Sequence, residues 1–188
     1  MTSGSGLRVS LVPDLFDALV WAVVGQQVTF ARACTLRRRL YERVGTRLPG
    51  GVYAPPPAQT VAALNQSELR AVGLTQARTD LLGRVAALVA SGALDLEALA
   101  QGPASRAQRC LLAVPGIGPW TAGYVLRGFG FADSVPVGDS ALARGLQRLF
   151  HLPQRPGPLA TAALMAPFAP HRSLATLHLW RHATPETP

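Results

Sequence analysis

Residues 114–122 read VPGIGPWTA, a stiff, glycine-punctuated stretch inside a sequence that otherwise has the apolar periodicity of helices. A helix is predicted from Ala104 to Ala113, ahead of this stretch. Pro119 stands where proline is tolerated, in the first turn of a following helix. The stretch therefore predicts a helix-hairpin-helix motif at about residues 104–128.

The two hairpin glycines, Gly116 and Gly118, indicate a site for an anion. Without a Cβ atom, each lets another molecule approach the main chain closely, and both can take a positive φ. Their N–H groups and those of the first turn after Pro119, Thr121 included, point outward at the positive end of a helix dipole, where a phosphate fits. The alternative is an ordinary interhelical turn in which Ile117 fills the core.

The rest of the chain predicts an all-α fold. Helices are expected at about residues 15–24 and 28–44, on either side of Gly25, and further helical stretches follow as far as His182. Apart from a short strand considered at residues 7–12, no stretch alternates at period two for long enough to form a sheet. At 188 residues the chain can hold one core or two small lobes that share one, so we expect a single domain over residues 1–188.

Composition favours a polyanion as partner. The formal net charge is +8, and all 18 basic residues are arginine. The planar, always-charged guanidinium of arginine suits phosphate, although a compositional bias toward Arg, Ala, Gly and Pro also accounts for the excess of arginine.

Because the sequence has no lysine, no side chain can form a Schiff base. With no bilayer-spanning apolar run and no leader after Met1, we expect a soluble cytoplasmic protein with no membrane partner.

Metal and cluster chemistry has little support in the sequence. Two cysteines, Cys34 and Cys110, cannot hold an iron–sulfur cluster or a four-cysteine zinc site, and we expect both to be buried thiols. His178 and His182 have metal-ligand spacing, but HLWRH lacks the Glu of the zinc-protease motif and no third ligand is evident.

Asp139 is the candidate functional carboxylate. From Val114 to the C terminus the acidic residues are Asp133, Asp139 and Glu186, among six arginines. A surface that binds phosphates should hold few acids, so an aspartate retained there needs a reason. A helix N-cap is one such reason, worth about 1 kcal/mol, and it is compatible with catalysis because N–H donors and the helix dipole keep a carboxylate ionised. Asp133 is the weaker candidate.

These features resemble a known superfamily. VPGIGPWTA between two helices resembles the motif of the helix-hairpin-helix DNA glycosylases, whose essential Asp follows the second hairpin glycine by about twenty residues; Asp139 follows Gly118 by 21. The segment of residues 16–44, with GQQVTFARA at 25–33, is similar to the entry helices of the 3-methyladenine DNA glycosylase II family. PHRSLATLHLWRH, residues 170–182, is similar to the closing helix of that family. The resemblance covers about residues 10–182. Family members commonly carry an N-terminal β-rich domain, so a minimal form without it is expected.

The resemblance implies a two-lobed helical bundle with the DNA and base pocket in the cleft between the lobes. It implies a monofunctional glycosylase of base excision repair, which hydrolyses the N-glycosidic bond of flipped alkylated purines (3-methyladenine, 7-methylguanine) and leaves an abasic site. Asp139 would be catalytic, stabilising an oxocarbenium-like sugar and orienting or deprotonating water. Trp120, Tyr124 and Trp180 would line the pocket, because aromatic faces hold a cationic base. A place in the hydrophobic core is the alternative for Trp120 and Tyr124, since aromatics at helical spacing are typical of a core. Trp120 occupies the place of the Schiff-base lysine in lyase relatives.

The resemblance also implies how the duplex is held. Gln27 is the implied wedge that fills the gap left by the flipped base, and Gln26 contacts the neighbouring groove, with Arg172 as a further DNA-binding residue. The alternative is that both glutamines only occupy the turn between two helices and have no role in DNA binding. The expected partner is double-stranded DNA containing damaged bases, bound by a monomer in the cytoplasm at the nucleoid.

One ion is implied by the resemblance. The backbone carbonyls of Leu112, Val114 and Ile117 would hold a monovalent cation, Na⁺ or K⁺, that is structural and has no catalytic part. No other cofactor is required, and no iron–sulfur cluster is expected.

Two rivals remain at this stage. One is a glycosylase for another base on the same scaffold, of an adenine-mismatch or uracil-removing type; the mismatch branch usually carries four cluster cysteines, and this chain has two in all. The other is a DNA-binding helix-hairpin-helix module without activity. Such a module requires neither Asp139 nor an aromatic pocket.

Overall fold

The computed structural model describes residues 6, 8, 9, 11, 12 and 14–183. This part of the chain is helical and contains no β-strand, which confirms the predicted all-α class. The α-helices are α1 (Leu15–Gly25), α2 (Phe30–Val44), α3 (Ala58–Ala62), α4 (Gln66–Ala71), α5 (Gln76–Ala90), α6 (Leu96–Gln101), α7 (Ala104–Leu112), α8 (Pro119–Gly128), α9 (Ser140–Leu149), α10 (Pro158–Met165) and α11 (Arg172–Ala183), with 3-10 helices at Pro49–Gly51 and Ala166–Phe168.

The strand considered at residues 7–12 and the possibility of a membrane-spanning helix can both be compared with the described residues. Residues 7 and 10 of the strand considered at residues 7–12 lie outside the described part, and residues 8, 9, 11 and 12 are not in a strand. Among the described residues, none of the helices combines the length and the apolar character that a membrane span needs.

The described chain divides into two compact units, and the boundary falls inside the hairpin, between Ile117 and Gly118. One unit comprises residues 12–117, and the other comprises residues 118–183 with the described residues up to Leu11. Helix α7 therefore belongs to one unit and α8 to the other. The predicted helix-hairpin-helix is confirmed at α7 and α8.

The unit of residues 12–117 is built around α1 and α5. Helix α1 packs against α2, α5 and α6, while α3 and α4 pack against α5. Asp14 caps α1 by accepting from the amides of Phe16 and Asp17. The core includes the fully buried side chains of Leu19, Leu36, Leu40, Leu69, Leu82 and Leu111.

The unit of residues 118–183 is centred on the contact between α9 and α11. Leu142, Leu146, Met165 and Leu179 form its buried cluster. Gly145 is required at the crossing, because a Cβ at this position would lie 2.4 Å from the carbonyl oxygen of Leu179. This close approach brings the first turn of α9 near the last turns of α11.

Candidate active site

Asp139 lies at the start of α9 and is held by three N–H donors. Its Oδ1 accepts from the Leu142 amide at 2.7 Å and from Trp180 Nε1 at 2.9 Å, and its Oδ2 accepts from Trp120 Nε1 at 3.0 Å. The predicted N-cap is therefore confirmed. Because α8, α9 and α11 each contribute one donor, the carboxylate is fixed in orientation from three sides.

The three predicted pocket aromatics lie together beside this carboxylate. Ring centroids are 5.4 Å apart for Trp120 and Tyr124, and 5.8 Å apart for Tyr124 and Trp180, with interplanar angles of 34° and 33°. Because the paired rings are close and only moderately tilted, the three aromatics form one packed cluster, the aromatic wall. The sequence placed Trp120 and Tyr124 on one helix face, but the addition of Trp180 depends on the packing of α11.

Arg127 is a residue of this site that the sequence analysis missed. It is 9% exposed, and its guanidinium carbon lies 5.0 Å from the ring centroids of both Tyr124 and Trp180. The available signal was its position on α8, three residues after Tyr124, which places both side chains on the same helix face.

Gly116 and Gly118 differ in conformation. Gly116 has φ of +98° and requires glycine for this reason, whereas Gly118 has φ of −94° and ψ of −179°, extended backbone that any residue adopts. A Cβ at Gly118 would have no atom within 4 Å. Among the described residues, neither glycine donates a hydrogen bond from its N–H. The N–H groups of these two glycines thus carry no competing bond to the described residues.

Two side chains hold the carbonyl side of the hairpin. Gln26 Nε2 donates to the carbonyl of Gly116 at 3.1 Å, and Arg84 Nη1 donates to the carbonyl of Pro115 at 2.9 Å. Gln26 was expected in a DNA groove on the basis of the sequence, and no role was expected for Arg84. Both pairings join residues distant in sequence, so no local pattern could have indicated them.

Gln27 differs from its neighbour. It is exposed and has φ of +52°, a left-handed conformation that residues other than glycine rarely adopt. Strained backbone of this kind is concentrated at functional sites. The structure therefore distinguishes the two glutamines, with Gln26 directed at the hairpin and Gln27 exposed at the turn.

Arg172 and Thr121 are both predicted to contact DNA. In the structure, Arg172 is paired with a carboxylate of the protein and Thr121 is buried. Arg172 donates to both carboxylate oxygens of Asp133, at 2.5 and 2.6 Å. These hydrogen bonds hold the pKa of Asp133 below its usual value and raise the pKa of Arg172. Asp133, the weaker catalytic candidate, is thus paired with an arginine. Thr121 is 2% exposed, so a phosphate contact would come from its main chain.

A second buried carboxylate, Asp17, belongs to a network between α1 and α2. It is 2% exposed and accepts from Arg37 and Tyr41. Burial raises its pKa, and the hydrogen bond from Arg37 opposes this shift. Arg37 also lies over the ring of Trp21, which contacts the exposed Phe30 edge-on, with centroids 5.7 Å apart. The network holds α2 against α1.

The cysteine expectation is wrong. Cys34 is exposed and Cys110 is partly exposed. On α2, Cys34 lies outside the face that packs on α1, whose buried residues are Ala33, Leu36, Leu40 and Tyr41.

Comparison with known proteins identifies the family. A model described as HhH-GPD superfamily base excision DNA repair protein matches residues 20–170. The chain belongs to this superfamily. The predicted resemblance to helix-hairpin-helix DNA glycosylases is therefore confirmed.

Curated relatives of the HhH-GPD chain include two bacterial enzymes. The DNA-3-methyladenine glycosylase of Bacillus subtilis is 33% identical over 180 residues, covering 94% of this chain and 59% of the relative. The DNA-3-methyladenine glycosylase 2 of Escherichia coli is 34% identical over 183 residues, covering 93% of this chain and 60% of the relative. The chain thus spans about 60% of the length of these relatives.

Solved structures agree on the HhH-GPD fold. The DNA-3-methyladenine glycosidase from Bacillus halodurans has a TM-score of 0.73 at 27% identity, covering 95% of this chain and 80% of that one. The 3-methyladenine DNA glycosylase from Archaeoglobus fulgidus has a TM-score of 0.83 at 22% identity, covering 94% and 61%. At this identity, the second match indicates the shared fold alone.

Proposed function

We propose that the chain is a monofunctional DNA glycosylase of base excision repair, which hydrolyses the N-glycosidic bond of alkylated purines such as 3-methyladenine and 7-methylguanine. The observation that carries this proposal is the carboxylate of Asp139, held by the indoles of Trp120 and Trp180 beside the wall that they form with Tyr124. The names of the Bacillus subtilis and Escherichia coli relatives support the substrate class.

Asp139 acts on the sugar. As the C1′–N bond breaks, its electron pair leaves with the purine, and positive charge develops on the sugar. A carboxylate of fixed orientation stabilises this charge without reorganising. The oxygen of a water molecule then bonds to C1′, and its proton passes to Asp139 and on to solvent, which leaves an abasic site.

The aromatic wall binds the flipped base. A base alkylated at a ring nitrogen is cationic and already a good leaving group, so the site needs no general acid for it. Planar faces stack on such a base. Since the chain contains no lysine, a side-chain Schiff base at C1′ is excluded, and the enzyme leaves the strand without nicking it.

The hairpin binds a phosphate of double-stranded DNA. Gly118 has open space where a side chain would be, and it is followed by the start of α8, where the dipole favours negative charge. Main-chain groups of Gly116, Gly118 and Thr121 supply the donors. The carbonyls of Pro115 and Gly116 are already bonded to Arg84 and Gln26.

The monovalent cation remains part of this proposal. Leu112, Val114 and Ile117 offer the carbonyls, and the one of Val114 also accepts from the Ile117 amide at 3.0 Å. Neutral carbonyl oxygens suit a hard cation such as Na⁺ or K⁺. A bound ion would add positive charge next to the phosphate site.

Gln27 is the wedge in this proposal, because it is exposed at the strained turn while Gln26 is committed to the hairpin. A polar wedge can occupy the vacated stack and hydrogen-bond the orphaned base. Arg172 is a weaker candidate for DNA binding than Gln27, because its guanidinium is already paired with Asp133. We further propose that the protein works as a monomer at the nucleoid.

The test replaces the carboxylate of Asp139 by an amide, which can still cap α9. Asp139→Asn should reduce release of methylated purines from alkylated duplex by about 10²–10³-fold or more, because an amide cannot stabilise the developing charge. DNA binding should survive. The matched control is Asp95→Asn, since Asp95 caps α6 by the same bond, 3.0 Å from the Ala98 amide.

Two outcomes would contradict the proposal. Release of methylated purines by Asp139→Asn at the rate of the wild type would contradict the mechanism assigned to Asp139. Failure of the wild type to release any alkylated base, with DNA binding intact, would favour a non-catalytic DNA-binding module.

A further inference from the structure

Arg127 is a buried cation within the candidate base site. Its side chain is on α8 and 91% of the residue is removed from solvent, as its exposed fraction of 9% shows. Its guanidinium carbon is equidistant, at 5.0 Å, from the ring centroids of Tyr124 and Trp180. Two of the three rings proposed to stack on a flipped base therefore already carry a positive charge on one face.

No carboxylate of the described residues forms an ion pair with Arg127. Its buried Nε also has no hydrogen-bond partner within the described part of the chain. A buried donor without a partner is costly, and a buried charge without a counter-ion is more so. Within the described residues, the faces of Tyr124 and Trp180 are the charge-stabilising contacts of this guanidinium.

A cation on one face of an aromatic ring draws its electron density toward that face. The ring quadrupole that attracts a second cation is weakened, and the two positive charges also repel each other at short range in a poorly solvated site. A neutral base stacked on the same rings meets neither penalty. Arg127 therefore changes what the wall binds best.

We propose that Arg127 is a specificity-determining residue that lowers the preference of the site for positively charged bases relative to neutral purines. The inference rests on the proposed function, because it takes Tyr124 and Trp180 as the stacking surface. The aromatic wall alone would favour the cation, and Arg127 opposes that preference.

The test compares two lesions that share a purine ring and a carbonyl at the same position but differ in charge. Excision of 7-methylguanine, a cation in DNA at pH 6, and of hypoxanthine, which is neutral, is measured as kcat/KM in otherwise identical duplexes. Arg127→Met removes the charge and keeps an extended side chain. We expect the ratio of 7-methylguanine to hypoxanthine excision to rise about threefold to tenfold.

Matched variants separate charge from structure. Arg127→Lys retains the cation and should keep the ratio of the wild type, while Arg109→Met removes an exposed arginine of α7 and should leave the ratio unchanged. A general loss of folding lowers both rates and does not move their ratio. If circular dichroism shows that Arg127→Met is unfolded, Arg127→Gln supplies the uncharged comparison.

The outcomes distinguish this inference from the proposed function. A folded, uncharged variant with the ratio of the wild type overturns the role of Arg127, even when both bases are excised. The same rise in Arg127→Lys as in Arg127→Met also overturns it, because charge would then not be the cause. Excision of no base by the wild type instead overturns the proposed function.

Discussion

The side-chain amide of Gln26 donates a hydrogen bond to the main-chain carbonyl of Gly116, 3.1 Å away and 90 positions later in the sequence. This bond joins the turn between α1 and α2 to the hairpin that precedes α8. Arg84 of α5 supports the same hairpin through Pro115. The conformation proposed to bind a phosphate is thus set by donors outside the hairpin.

Replacing Gln26 should weaken DNA binding without regard to lesion or sequence. A net contribution of about 0.5–1.5 kcal/mol for one hydrogen bond predicts a loss of about twofold to tenfold for Gln26→Leu. Fluorescence anisotropy with damaged and undamaged duplexes measures it. Gln108→Leu, at an exposed position of α7, is the control. Equal losses in the two variants would contradict the role assigned to Gln26.

Replacing Gln27 should impair base flipping and spare binding. Gln27→Ala removes the side chain that fills the vacated stack, so excision from a fully paired duplex should fall. Excision of the same base opposite a gap or a mismatch should fall less, because such a base is already poorly stacked. Single-turnover rates on the two substrates give the comparison. A uniform loss on both would contradict the wedge assignment.

Gly118→Ala tests the phosphate contact with little effect on the fold. Gly118 and Gly157 both precede a proline at the start of a helix, lack a side-chain cap, and have no atom within 4 Å of an added Cβ. Gly118→Ala should weaken DNA binding and lower its salt dependence by about one phosphate contact, and Gly157→Ala should not. Gly116 is a poorer test position, because its φ of +98° strains any other residue.

The DNA-binding constants of Gly118→Ala and Gly157→Ala are measured at several salt concentrations. Thermal unfolding should place both alanine variants near the wild type. Unchanged DNA binding by Gly118→Ala would contradict the proposal that a phosphate approaches the main chain closely at this glycine.

The pair of Asp133 and Arg172 should stabilise the protein in a pH-dependent way. Its hydrogen bonds lower the pKa of Asp133 from the usual value of 3.8, so the contribution is complete at neutral pH and is lost as pH falls below about 4. The two side chains are 35% and 32% exposed, which limits the effect of Asp133→Asn at pH 7 to about 0.5–1 kcal/mol.

Urea unfolding at pH 7 and at pH 3 measures this difference. Glu42→Gln, which breaks the more exposed pair of Glu42 with Arg38, should change stability less at either pH. A difference between wild type and Asp133→Asn that grows at low pH would contradict the assignment.

Local features of the site were predictable from the sequence. Pro119 and the two hairpin glycines indicated the turn between α7 and α8, and Asp139 was recognised as the cap of α9, because turns and caps depend on neighbouring residues. Trp120 and Tyr124 were placed on one face by helical spacing. Arg127 was on the same helix, but its burial could not be read from the spacing.

Sequence alone determined the all-α class, the hairpin, the absence of a lysine nucleophile and the candidacy of Asp139, because each depends on residue type and local spacing. Tertiary structure decided that Trp120 and Trp180 hold Asp139, that Gln26 and not Gln27 supports the hairpin, and that Arg127 lies over Tyr124 and Trp180. The physical reason is that these are contacts between distant segments. Their direction is set by how helices pack, such as the close crossing of α9 and α11 at Gly145, and not by the residues next to them.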